Sequence, residues 1–317
     1  MLSLLMGDTR VAAVDCGTNS IRLLIADVDG RGGLVDVVRE MRVVRLGEGV
    51  DATGQFTTEA IARTRAALAD YVEQMKSAGV QRVRMVATSA TRDASNRDEF
   101  FAMTAELLGQ VAAGAVAEVI SGEEEAALSF RGAVGGLDPA QGPFAVTDLG
   151  GGSTEIVTAD AAYSANIGCV RLTEHSLHSD PPTAVEIAEA EAFVAQRLSP
   201  AFEAVPLDGV RTWVGVAGTL TTIAALALGL DEYDPEAIHL SRHPLTEIET
   251  VCRELLAATR AERAVLGPMH AGRVDVIGGG SLVTLALAHQ FSRRAGLTEL
   301  VVSEHDILDG IALGITS

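Results

Sequence analysis

Lysine is nearly absent from this chain: Lys76 is the one lysine among 24 basic residues, and the others are arginine. A Walker A phosphate loop, which depends on its lysine, is therefore excluded. Any bound anion has to be met by arginine forks, backbone amides or a metal ion. Positive charge as a whole is also scarce, with 43 acidic residues bringing the formal net charge to −19. Acidity on that scale repels a nucleic-acid backbone, and it repels a phosphate-rich small substrate unless the site neutralises it locally. Cys16, Cys169 and Cys252 are the only cysteines, widely spaced and without a CxxC pair. They make neither a disulfide framework nor a structural zinc site, and they suit a reducing cytoplasm. No apolar run approaches roughly 18 residues; even the alanine-rich stretch after Thr221 breaks at Gly229 and Asp231. The start, Met1 to Leu5, is too short for a signal peptide. Neither a membrane segment nor a nucleic-acid partner is expected, and the seven histidines show no metal-ligand spacing.

What is present argues for two lobes, because 317 residues exceed one typical domain. Strand patterns at Val11 to Asp15, Ile21 to Asp27 and Val37 to Leu46 predict a β-meander. Helix is predicted for Thr58 to Ser77, Glu99 to Leu108 and Glu123 to Ala133, with strands at Val83 to Ala87 and Val116 to Ile120. The stretch Gly135 to Pro139 reads as the lobe boundary, giving lobes of residues 1–135 and 136–304 with a helix over 305–317 packing back on the first. The second half opens as the first does: Asp15-Cys16-Gly17-Thr18-Asn19-Ser20 aligns without gaps on Asp148-Leu149-Gly150-Gly151-Gly152-Ser153. This is an internal repeat with a period of one domain. Later, Thr212 to Val216 leads into Gly218-Thr219, and Val274 to Ile277 into Gly280-Ser281, both read as strand, glycine, hydroxyl residue and helix.

Each Asp-x-Gly loop suits phosphate, because glycine lets backbone amides approach anionic oxygens while hydroxyls add further donors. Asp15 and Asp148 stand where a magnesium ion could be held. Either loop alone reads equally well as a hairpin turn; the pairing favours the functional reading. Gly218-Thr219 and Gly280-Ser281 are expected to cap helices whose free amides attract anions, although ordinary capping explains them too, and Gly278 to Gly280 also read as a close-packing device. Ser121-Gly122-Glu123-Glu124-Glu125 puts three carboxylates in a first helical turn, where dipole complementarity is the bland account and a general base the functional one. Arg22 and Arg92 are candidates for forks onto phosphate.

Taken together these segments resemble the exopolyphosphatase/guanosine pentaphosphatase (Ppx/GppA) family of the actin and Hsp70 superfamily. The resemblance runs through Val11 to Arg22, Arg45 to Val50, Ala87 to Asn96, Ile120 to Ala126, Asp148 to Glu155, Gly168 to Glu174 and Gly218 to Thr222. It is strongest with the short actinobacterial exopolyphosphatases. It implies an actin-like (ribonuclease H-like), duplicated α/β fold of two lobes with a cleft between them, and a metal-assisted hydrolase of phosphoric anhydrides. By the resemblance Glu125 activates the attacking water, with Glu124 the alternative. Asp148 and Glu155, with Asp15, would hold Mg2+ or Mn2+. Thr18, Asn19, Ser20, Arg22, Arg92, Gly151, Gly152, Ser153, Gly218, Thr219 and Arg273 would contact the terminal phosphates of inorganic polyphosphate. Guanosine pentaphosphate is the alternative substrate, and a non-catalytic alarmone or polyphosphate sensor the alternative class. A sugar kinase or chaperone-like ATPase shares the fold but does not require the glutamate cluster. Relatives commonly dimerise. Longer relatives continue into a helical extension that this sequence lacks, so short polyphosphates and distributive attack are expected.

Overall fold

The computed structural model describes residues 9–28 and 33–315. Met1 to Leu5 and the last residues of the 305–317 segment lie outside them. The chain divides into two units, Met1–Ser121 with Ile307–Ser317, and Gly122–Asp306.

The first unit is built on a sheet of β1 (Thr9–Cys16), β2 (Ser20–Val28), β3 (Leu34–Val43), β4 (Arg82–Ala87) and β5 (Glu118–Val119), in the order β3-β2-β1-β4-β5. The β1–β2–β3 meander is antiparallel, and β4 and β5 add in parallel. Strand β1 alternates little because it is covered on both faces: Val11 to Val14 are all fully buried. The helix Thr58–Ser77 buries Ile61, Leu68, Tyr71, Val72 and Met75 against this core, and Thr57 caps its start by accepting from the Ala60 amide. The helix Ile307–Gly314 packs on β1 and β2. There Asp309 receives the Arg39 guanidinium, Nη2 to Oδ1 at 2.6 Å.

The second unit carries β6 (Phe144–Leu149), β7 (Thr154–Val157), β8 (Ala162–Ala165), β9 (Thr212–Val216), β10 (Ser241–Pro244) and β11 (Glu299–Val302), in the order β10-β11-β9-β6-β7-β8. Its part β8-β7-β6-β9-β11 repeats the connectivity and strand directions of the first sheet, so the duplicated loops belong to a duplicated topology. Trp213 stacks on Phe291 at 4.4 Å in its core, and the indole N–H donates to Thr147 at 2.9 Å. Among the described residues no helix is long and apolar enough to cross a membrane.

Three expectations change. The boundary drawn at residue 135 differs from the division observed, because the helix Gly122–Val134 packs on β6, β7, β8 and β9 and puts Ala133 against Val146, Val214 and Val216. The strand expected at Val274 to Ile277 is absent: a 3-10 turn, Ala271–Arg273, leads into the helix Ile277–Ala295. A short apolar run does not separate strand from buried helix by period alone. Gly280 and Ser281 are consequently inside a helix rather than at its start, and the Gly280 amide is consumed by the Val276 carbonyl. Gly278 to Gly280 serve close packing. A Cβ on Gly279 would stand 2.5 Å from Thr173 Oγ1 and 2.6 Å from the Cys169 carbonyl oxygen.

Candidate active site

Two buried carboxylates face each other at the end of the second meander. Asp148, next to last in β6, lies opposite Glu155 in β7. Hydroxyls hold both. Ser129 Oγ donates to Asp148 Oδ2 at 2.5 Å, and Ser164 Oγ donates to Glu155 Oε1 at 2.6 Å. Ser129 sits four residues after Glu125, one turn along the same helical face, and Glu125 is buried while Glu123 and Glu124 are exposed. The close seating of this helix requires glycine at its start: a Cβ on Gly122 would lie 2.3 Å from Ser164 Cβ. Burial, then the negative charges of Glu125 and Asp148, push the Glu155 carboxyl well above the usual carboxylate range, against the hydrogen bonds from Ser164 and Ser153.

Beside the carboxylates the Gly150 to Ser153 loop is tied to the helix Cys169–Ser176. Gly150 O accepts from Cys169 N at 3.0 Å, Gly151 O from Val170 N at 2.9 Å and Arg171 N at 3.1 Å, and Gly152 O from Arg171 Nε at 2.8 Å. A carbonyl and the next amide point in opposite directions across a trans peptide. The N–H groups of Gly151, Gly152 and Ser153 therefore face away from that helix, forming a nest suited to anionic oxygens. Gly168 permits the approach, since a Cβ there would lie 2.5 Å from Gly151 C and O.

The helix Gly218–Ala227 begins differently from expectation. Its N-cap is Ala217, held at φ +73°, a conformation costly for a residue with a Cβ, and no side chain caps it. Thr219 is therefore one position inside the helix and is not the cap; its hydroxyl is hydrogen-bonded with Cys169. Burial raises the Cys169 thiol pKa, opposed by that bond and by the Arg273 charge. Arg273 lies over Gly218 and donates from Nη1 to Thr222 Oγ1 at 2.9 Å.

In the first unit, Arg22 donates to Asp15 Oδ2 from Nη2 at 2.7 Å and from Nε at 3.0 Å, so an expected metal ligand and an expected phosphate fork engage each other. The loop between them is braced by Gly17 N donating to Ser20 O, and by the Thr18 and Asn19 carbonyls accepting from Gly47 N and from Val44 N and Arg45 N. Thr18 Cγ2 would lie 2.3 Å from a Cβ on Gly47. Arg92, on the short helix Ser89–Asp93, donates from Nη1 to Ile120 O at 3.1 Å.

The second unit thus gathers Glu125, Asp148, Glu155, Gly151, Gly152 and Ser153 in one place, with Gly218, Thr219 and Arg273 at a helix start of the same unit. Among the described residues no group of three or more His, Cys, Asp or Glu side chains is placed to hold a metal unaided. The paired carboxylates Asp148 and Glu155 nevertheless suit a hard cation of the magnesium type, which takes one or two carboxylates and completes its shell with water and phosphate oxygen. Sequence reasoning missed Ser129, Ser164, Gly168 and Thr222. Of these, Ser129 carries a readable signal in its four-residue spacing from Glu125, and Gly168 and Thr222 lie within segments of the family resemblance, while Ser164 carries none.

The Ppx/GppA phosphatase family model matches residues 24–314. Exopolyphosphatase 2 of Mycobacterium tuberculosis is 61% identical over 317 residues, spanning 98% of this chain and 99% of that one. Among solved structures, an exopolyphosphatase-like protein is 42% identical with a TM-score of 0.91, covering 97% of each chain. The Aquifex aeolicus PPX-GPPA enzyme is 31% identical with a TM-score of 0.78, covering 97% of this chain and 100% of that one. With the duplicated actin-like topology and the carboxylate-lined glycine loop, these matches establish that the chain belongs to the Ppx/GppA phosphatase family.

Proposed function

We propose that this protein is an exopolyphosphatase, hydrolysing the terminal phosphoanhydride of inorganic polyphosphate. The observation that carries the reading is the gathering of Glu125, Asp148 and Glu155 beside a loop whose Gly151, Gly152 and Ser153 amides turn away from the helix Cys169–Ser176 in a nest suited to anionic oxygens. The likeness to an exopolyphosphatase over nearly the whole chain supports the choice of substrate.

In this reading Glu125 accepts a proton from a water molecule as the water oxygen forms its bond to the terminal phosphorus. The bridging P–O bond breaks in line with the attack, and its electron pair leaves with the shortened chain. The amides of Gly151, Gly152 and Ser153 hold the charge that accumulates on the transferring group, and the Arg273 guanidinium binds the terminal phosphate in ground and transition state alike. Thr18, Asn19, Ser20, Arg22 and Arg92 are proposed as phosphate contacts. Asp148 and Glu155 would hold a magnesium ion, which when bound neutralises phosphate charge and polarises the phosphoryl group. Ser129 and Ser164 keep these carboxylates aimed.

The test is magnesium-dependent phosphate release across polyphosphates of defined length, ATP and guanosine pentaphosphate. Release from the polyphosphates is expected. Release from guanosine pentaphosphate alone would replace this reading with the nucleotide one, and specific binding of both without release would make the protein a sensor.

A further inference from the structure

Arg273 is the last residue of the 3-10 turn Ala271–Arg273, and its guanidinium reaches the first turn of the helix Gly218–Ala227. Its hydrogen bond to Thr222 has a fixed sense. The Thr222 hydroxyl is fully buried and donates its one proton to the Gly218 carbonyl at 2.7 Å, so its oxygen is left to accept from Arg273 Nη1. No carboxylate pairs with Arg273 among the described residues, and the rest of its N–H groups have no acceptor there. Below the guanidinium is Gly218. A Cβ at that position would lie 2.2 Å from Nη2, 2.3 Å from Cζ and 2.6 Å from Nε, so the charged plane occupies the space that any other side chain would take. The corner directly before it, Ala217, is held at φ +73°, a strain that the surrounding structure has to maintain.

From this geometry we infer that Thr222 and Gly218 are positioning residues for Arg273: the hydroxyl anchors one nitrogen and the missing Cβ provides the seat, leaving the rest of the fork presented to a phosphate. The inference rests on the reading of the substrate as a terminal phosphate, and it adds which residues aim the arginine. A hydroxyl anchor serves this better than a carboxylate, because a neutral partner orients the guanidinium without cancelling its charge. Thr222 and Gly218 act through Arg273 and need not touch substrate.

A double-mutant cycle decides the matter. Tripolyphosphate binding is measured by calorimetry without added metal, and KM and kcat are measured with magnesium tripolyphosphate. Thr222→Val and Gly218→Ala are each expected to weaken binding and raise KM about tenfold, the scale of one misplaced charged hydrogen bond, with kcat changing less. Thr222→Ser, which keeps the hydroxyl, is expected to restore both to within about threefold. In the Arg273→Ala background neither Thr222→Val nor Gly218→Ala should cost anything more. Gly218→Ala guards against a folding defect at Thr222, since the three atoms nearest its Cβ all belong to the movable end of the arginine. Equal losses with and without Arg273 would make both roles merely structural and overturn the inference, as would wild-type binding by Arg273→Ala. If the wild-type protein released phosphate from no polyphosphate, the functional reading would fall, while the cycle read in binding would still decide the roles of Thr222 and Gly218.

Discussion

Asp148 and Glu155 stand directly opposite each other on β6 and β7, whereas the same register in the first unit pairs Asp15 with Arg22. One half of the duplication therefore closes an ion pair, and the other holds two carboxylates together in the interior. Like charges so placed oppose each other's ionisation. The arrangement costs stability in the metal-free protein and makes sense when a cation joins the pair.

That cost has a definite sign. With its carboxyl raised by burial and by Glu125 and Asp148, Glu155 retains a proton in the folded state at pH values where the unfolded chain has lost it. Metal-free stability should therefore decline as pH rises from the ordinary carboxylate range through the raised value of Glu155. Glu155→Gln should flatten this decline and raise Tm at neutral pH in EDTA, while losing most of the stabilisation that magnesium gives the wild type. Thermal melts across pH, with and without magnesium, make the comparison. A Glu155→Gln protein that melts lower than wild type in EDTA and still gains fully from magnesium would contradict it.

Ser129→Ala removes the hydroxyl that donates to Asp148 without touching any proposed ligand. Its expected effect is a rise of about tenfold in the magnesium concentration giving half-maximal rate, the lower end for loss of a partner that supports a ligand. The maximal rate at saturating magnesium should change much less. An unchanged magnesium titration would remove Ser129 from the account.

Gly168→Ala places a Cβ against the backbone of Gly150 and Gly151, which cannot swing aside as a side chain can. The loop has to shift, and its amides with it. Weaker tripolyphosphate binding is expected together with a lower Tm. Normal binding with a lowered Tm would mean that the loop amides do not hold phosphate.

Much of this was readable in advance, and for physical reasons. The aligned loops at Asp15 and Asp148 announced the duplication because a turn that brings amides to an anion needs glycine at fixed places. The resemblance put Glu125 ahead of Glu124, and the structure buries Glu125 and exposes Glu124. The strand expected at Val274 to Ile277 failed because its apolar run is compatible with a buried helix as well, and Gly279 and Gly280 turned out to seat that helix against Cys169, Thr173 and Thr219. The cap expected at Gly218-Thr219 failed because the chain turns through a strained Ala217, a conformation no residue preference indicates. Ser164 left no trace in the sequence and the role of Thr222 was unmarked there, since a hydroxyl that aims another side chain is defined by distant contacts alone.

The most direct measurement compares Glu125→Gln with wild type in magnesium-dependent phosphate release from tripolyphosphate, alongside tripolyphosphate binding by calorimetry. Loss of the base with retention of its shape should lower kcat by about 10²–10⁴ and leave binding within about threefold, while Glu124→Gln stays near wild type. Wild-type turnover by Glu125→Gln would contradict the assignment of Glu125 as the group that activates the attacking water.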